Sequence, residues 1–123
     1  MLDTFTGDAL TAKALQEIAN EHYKGKLLKF QGKKENANAV IAWIDKGFRK
    51  QFNQLRKRFE RANVKIREEE AKTIARKIAL ELSGQEDDNV TKEFESIMND
   101  PSFIKDMPQI VIQLVRFFKW LNN

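Results

Sequence analysis

Six cations, Lys46, Arg49, Lys50, Arg56, Lys57 and Arg61, are the residues of this 123-residue chain whose type and spacing best suit a chemical task. Lys46, Lys50, Lys57 and Arg61 fall on one stripe of a helix, with Arg49 and Arg56 on one flank and Arg58 on the other. At a rise of 1.5 Å per residue the stripe runs about 22 Å. Such a row can meet several phosphates, each neutralised contact adding salt-dependent affinity without sequence preference. Gln51, Asn53 and Gln54 lie among the cations and can hydrogen-bond bases or backbone.

The charge is concentrated. The chain carries +4 overall, but residues 46–67 hold nine basic side chains against the single Glu60, and residues 68–107 hold five basic against eleven acidic. Two readings of the basic row follow. It is either a binding surface or a solvated face whose cations are neutralised by the acidic segment 68–100 of the same chain. A helix-turn-helix reader of bases is a poor fit, because the more basic helix is long and comes first, and the next one starts with acids.

Other chemistry is thinly supplied. His22, the only histidine, shares its neighbourhood with Glu17 and Glu21, and a helical metal protein or enzyme built on them is the remote alternative. No second histidine and no Glu-x-x-His repeat accompanies it. Glu68-Glu69-Glu70 and Asp87-Asp88 are better explained as helix-start and loop residues, and Asp87-Asp88-Asn89 lacks the glycine and closing glutamate of a calcium loop. Gly25, Gly32 and Gly47 are scattered and make no phosphate-cradling loop. Without cysteine, disulfides, thiolate metal sites and cysteine nucleophiles are excluded. The expectation is no enzyme and no cofactor.

The elements that must carry the row are helical. Nine Phe, two Trp and one Tyr supply a core, five Gly and two Pro force few turns, and β-branched residues form no alternating runs. A first helix is expected from Thr6-Gly7-Asp8, with Leu15, Ile18, Ala19 and His22 on its stripe, followed by a connection at Gln31 to Lys34. The second begins at an Asn36 or Asn38 cap and sets Ile44, Phe48, Phe52, Leu55, Phe59 and Ala62 opposite the cations. No proline interrupts residues 36–84, yet a break is expected at Asn63, which tolerates the left-handed conformation that ends helices.

A third helix then opens on Glu68-Glu69-Glu70, carries Ala71, Ile74, Ala75, Ile78, Ala79 and Leu82, and stops at Ser83-Gly84. It should pair antiparallel with the second. A short fourth, capped by Asp88 or Asn89, presents Val90, Phe94, Ile97 and Met98 and ends before Pro101, and one further turn is expected around Phe103 and Ile104. The last opens at Pro108 and is apolar nearly all round, with Gln109, Gln113 and Arg116 as its polar strip.

The fold class is therefore all-α: one domain over residues 1–123, a bundle of about five helices with the apolar C-terminal helix at its centre. No uncharged segment reaches the ~20 apolar residues of a membrane span. Met1 to Phe5 has neither the basic start nor the apolar run of a signal peptide, so a cytoplasmic protein is expected. The leading function is a non-enzymatic binding or interaction protein, such as an adaptor, inhibitor or small assembly subunit. A protein partner is expected, with a homodimer through the C-terminal helix as one form. Nucleic-acid association through the basic helix 46–67 is the alternative.

Overall fold

The computed structural model describes residues 36–122, and among them there are five helices and no strand. These are α1 (Ala37–Arg61), α2 (Glu68–Leu82), α3 (Asp88–Met98), α4 (Pro101–Ile104) and α5 (Met107–Asn122). The expected first helix, with His22, Glu17 and Glu21, lies outside the described residues.

The Asn36 side chain caps α1, accepting from the Ala39 N–H at 2.8 Å. The helix ends where Asn63 turns to φ 60°. There the Asn63 N–H donates to the Glu60 carbonyl (3.0 Å) and the Val64 N–H to the Phe59 carbonyl (2.9 Å), answering two carbonyls that the helix leaves open. Val64 and Phe59 are both buried, so the same turn anchors the chain in the core. Gly84, at φ 71°, repeats this ending for α2: Gly84 donates to Glu81 (3.2 Å) and Gln85 to Leu80 (2.8 Å). One left-handed asparagine thus keeps residues 37–82 from running on as a single helix.

The α2 start carries Glu68, Glu69 and Glu70 in its first turn, as the dipole favours. Glu70 reaches back to accept from the Arg67 N–H (3.2 Å), from Arg67 Nε (3.1 Å) and from Nη2 (2.8 Å). Three boundaries differ from expectation, and the first is that α5 opens at Met107, one residue before Pro108. The cap of α3 is Asp87, not Asp88 or Asn89; its carboxylate accepts from the Val90 N–H at 3.0 Å. Pro101 follows the end of α3, and it also opens α4 as that helix's first residue, where its missing N–H costs nothing.

α1 and α2 pack antiparallel. Arg76, late in α2, meets Asp45, early in α1, while Phe59, late in α1, shares a cleft with Ala71, early in α2. Val40, Ile44, Phe48, Leu55 and Phe59 of α1 are buried, with Phe52 and Ala62 packed at the edge of the core. α3 contributes Val90, Phe94, Ile97 and Met98 as expected.

α2 is buried on two sides. Ala71, Ile74, Ala75 and Ile78 occupy one face, and Thr73 and Leu80 are buried on the other, where α3 lies. The Thr73 hydroxyl lies 3.2 Å from Glu93 Oε2, and Lys77 Nζ donates to Thr91 Oγ1 at 3.2 Å. α5 is central: Met107, Ile110, Val111, Ile112, Leu114, Val115, Phe117 and Phe118 are all buried, packed against α1 and α2. Phe48 and Phe117 meet edge to face, 5.4 Å apart at 71°. Gln113, expected on the polar strip of α5, is buried instead, because that strip passes against the last turn of α1.

Candidate functional site

A helix must turn one face to its core, and α1 uses Val40, Ile44, Phe48, Leu55 and Phe59 for that. Lys46, Lys50, Lys57 and Arg61 each follow a buried residue (Ile44, Phe48, Leu55 and Phe59) by two positions, which is about half a turn and puts them on the opposite side. All six candidates (Lys46, Arg49, Lys50, Arg56, Lys57 and Arg61) are exposed, and Arg58 is half-buried. The row therefore stands in solvent from Lys46 to the C-terminal end of this 25-residue helix.

The acidic segment does not cover it. The ion pairs recorded among the described residues are Arg67–Glu70, Lys72–Glu69, Arg76–Asp45 and Lys77–Glu81. Three of the four lie within α2 or at its start, joining residues three or four apart. The fourth crosses to α1 and engages Asp45, the acid on that helix's flank. None includes a cation of the row. Glu68 and Glu69 instead face Lys46, Arg49 and Lys50 across a cleft of about 680 Å³.

The flank beside α2 is chemically mixed. The Arg56 guanidinium sits over the Phe52 ring, 5.6 Å from its centroid. Both line a second cleft of about 590 Å³, whose apolar walls include Phe59, Val64, Ile66 and Phe103 and whose polar residues include Arg67, Glu70 and Asp100. The hydrogen bond from Arg67 holds the Glu70 carboxyl below the usual carboxylate range, and the Ser102 hydroxyl does the same for Asp100. Arg67 is correspondingly raised by its bond to Glu70. These groups stay charged near neutral pH, with Arg67 and Glu70 paired to each other and Asp100 accepting from Ser102.

Among the described residues no group of three histidine or carboxylate side chains is placed to hold a metal ion. No described helix is long and apolar enough to cross a membrane. Spacing placed the six cations on one side of α1. Two features were not anticipated: the cleft at Phe52 and Arg56, which needs the turn after α1, and the burial of Gln113. Searched against protein-family models, curated proteins and solved structures, the chain matches none.

Proposed function

We propose that this protein is a non-enzymatic binding protein that docks an anionic macromolecule on the exposed basic face of α1, and that the anion is the phosphate backbone of nucleic acid. One observation carries the reading: six exposed cations on a single helix, with no carboxylate of the described residues in ion-pair contact. Like charges four residues apart, Lys46 with Lys50 and Lys57 with Arg61, repel and destabilise the helix slightly. A polyanion relieves that repulsion and releases its own counterions.

A protein partner with an acidic face is the second reading, favoured by the cleft of about 590 Å³ that sets Phe52, Phe59 and Phe103 beside Arg56. A homodimer through the C-terminal helix needs apolar surface there, and the described side chains at 110–112, 114, 115, 117 and 118 keep theirs inside.

Fluorescence anisotropy of labelled duplex and single-stranded DNA of mixed sequence, over a range of salt, tests the proposal. With four phosphates engaged, log K should fall against log[salt] with a slope of about −3 to −4. Lys50→Glu with Lys57→Glu should remove about two units of that slope. Binding that ignores salt, or survives the double substitution, rules the nucleic-acid reading out.

A further inference from the structure

Arg61, the last cation of the row, also belongs to a smaller cleft of about 290 Å³ between the C-terminal turn of α1 and the middle of α5. Its walls are Arg58, Arg61, Ala62, Gln113 and Arg116, with no carboxylate among them. Arg58 already makes a contact of its own, so the site rests on the other two guanidiniums. Both Arg61 and Arg116 are exposed, and neither joins an ion pair among the described residues. Arg58 and Arg61 complement the negative end of the α1 dipole. Arg116 stands well inside α5, so no helix end accounts for it.

Below this rim lies an independent signal. Gln113 is 7% exposed, and its Oε1 is buried with no hydrogen-bond partner. Its Nε2 makes only a long 3.5 Å bond to Gln109 Oε1. Buried side-chain polar atoms are nearly always paired, so an unmet one on a residue that lines this cleft, together with two guanidiniums outside any recorded ion pair, points to a water or ligand atom as its partner. An amide offers an acceptor or a donor according to which way round it sits. Turning Gln109 and Gln113 together preserves the bond between them and sets an N–H at the unmet position.

We propose that this cleft is a pocket for a single phosphate group, with Arg61 and Arg116 gripping its oxygens from the rim and the Gln113 amide donating from the floor. Planar guanidiniums suit that task, since each can present two parallel N–H donors to two oxygens of one phosphate. The ligand's source deepens the proposed function and rests on it: Arg61 belongs to both features, so a strand lying along Lys46, Lys50 and Lys57 brings its end to the cleft. The phosphate is then the strand's terminal phosphomonoester; free phosphate is the other source of the same chemistry.

Two arms test the pocket with the whole chain. In the first, inorganic phosphate is titrated at constant ionic strength while the Gln113 side-chain amide and the Arg61 and Arg116 Nε–H resonances are followed by NMR. A saturable shift, lost in Arg116→Gln, is expected; a Gln113 amide that does not respond overturns the pocket. In the second, one oligonucleotide is compared with a 5′-phosphate and a 5′-hydroxyl end. The phosphorylated end should bind about tenfold tighter, the scale of one charge-assisted hydrogen bond, and Arg116→Gln should erase the difference. Equal binding of the two ends, with the phosphate shift intact, overturns the strand-end assignment in favour of free phosphate. If neither oligonucleotide binds while the shift persists, the nucleic-acid reading fails and the pocket stands.

Discussion

Arg76 and Asp45 form a two-pronged ion pair across the α1–α2 junction, with Nε 2.7 Å from Oδ1 and Nη2 2.9 Å from Oδ2. The Arg76 side chain is 18% exposed and that of Asp45 37%. The arginine is thus largely withdrawn from water, and Asp45 is what makes that tolerable. The pair also shapes the candidate surface, because it occupies the acid that α1 carries on this flank. Asp45→Ala should cost about 1–2 kcal/mol, less than a fully buried pair because the carboxylate is partly solvated. Replacing both residues, Asp45→Leu with Arg76→Met, should recover most of the loss. A double-mutant cycle by chemical denaturation measures both.

The basic row should matter little to stability and much to binding. Lys50→Glu turns the like-charge pair with Lys46 into an opposite-charge pair four residues apart, and Lys57→Glu does so with Arg61. Glu60, three residues after Lys57, and Glu68 and Glu69, across the cleft from Lys50, offset part of the gain, so the two together should leave stability within a few tenths of a kcal/mol of the parent at low salt, with the difference fading as salt rises. Loss of DNA binding in a variant about as stable as the parent would separate function from folding. A variant that unfolds much more readily would show that these lysines serve the fold.

How much of this was legible depends on the kind of interaction. Asn63 and Gly84 are readable because few residue types adopt positive φ, so the ends of α1 and α2 are written locally. Ile44, Phe48, Leu55 and Phe59 are readable because one neighbouring layer imposes one stripe. Thr73 and Leu80 are not, since α2 lies between α3 and the other helices and buries a second face that no single period describes. Asp87, Asp88 and Asn89 are all good caps, and only the entry path of the chain selects Asp87. At the candidate site, residue types and spacing were plain but exposure was not. Summed charge makes segment 68–100 look like a neutraliser, whereas Glu69, Glu70 and Glu81 are held by cations three or four residues away. Side-chain reach decided the outcome, not net charge.

The two left-handed endings should respond unequally. A methyl group at Gly84 would meet nothing within 4 Å, so backbone conformation alone sets the penalty. Gly84→Ala should destabilise by about 1 kcal/mol. Asn63→Gly removes the residual strain of a side chain at φ 60° but loosens the unfolded chain, so it should stay within about 0.5 kcal/mol of the parent. Thermal melts of the two variants, run side by side, check the contrast.

Acid stability should report on the start of α2. The Glu70 side chain is 15% exposed, and its bond from Arg67 lowers its pKa in the folded state. A lowered folded pKa means that ionisation favours folding. Its contribution is complete above the unfolded value of about 4.3 and disappears as pH falls through the lower folded value. Glu70→Gln should therefore melt at a lower temperature than the parent at neutral pH, and the two curves should converge as pH falls below the ordinary carboxylate range. A constant offset across that range would mean that Glu70 acts through packing.

Gln113 offers the sharpest conflict between stability and the phosphate pocket. Its oxygen is buried without a partner, and its one hydrogen bond, to Gln109, is 3.5 Å long. An unmet buried polar group costs about 1–3 kcal/mol, and exchanging it for an apolar group of similar shape returns part of that. Methionine matches glutamine in length and flexibility, and Ile112, Leu114 and Val115 around it already make α5 an apolar helix. Gln113→Met should then raise stability by about 1 kcal/mol in phosphate-free buffer. Phosphate should stabilise the parent more than this variant, since ligand that binds only the folded state adds to its stability. Melts with and without phosphate therefore give a crossing pattern if Gln113 is the floor of an anion pocket. Equal shifts in both proteins would make it an unpaired amide and nothing more.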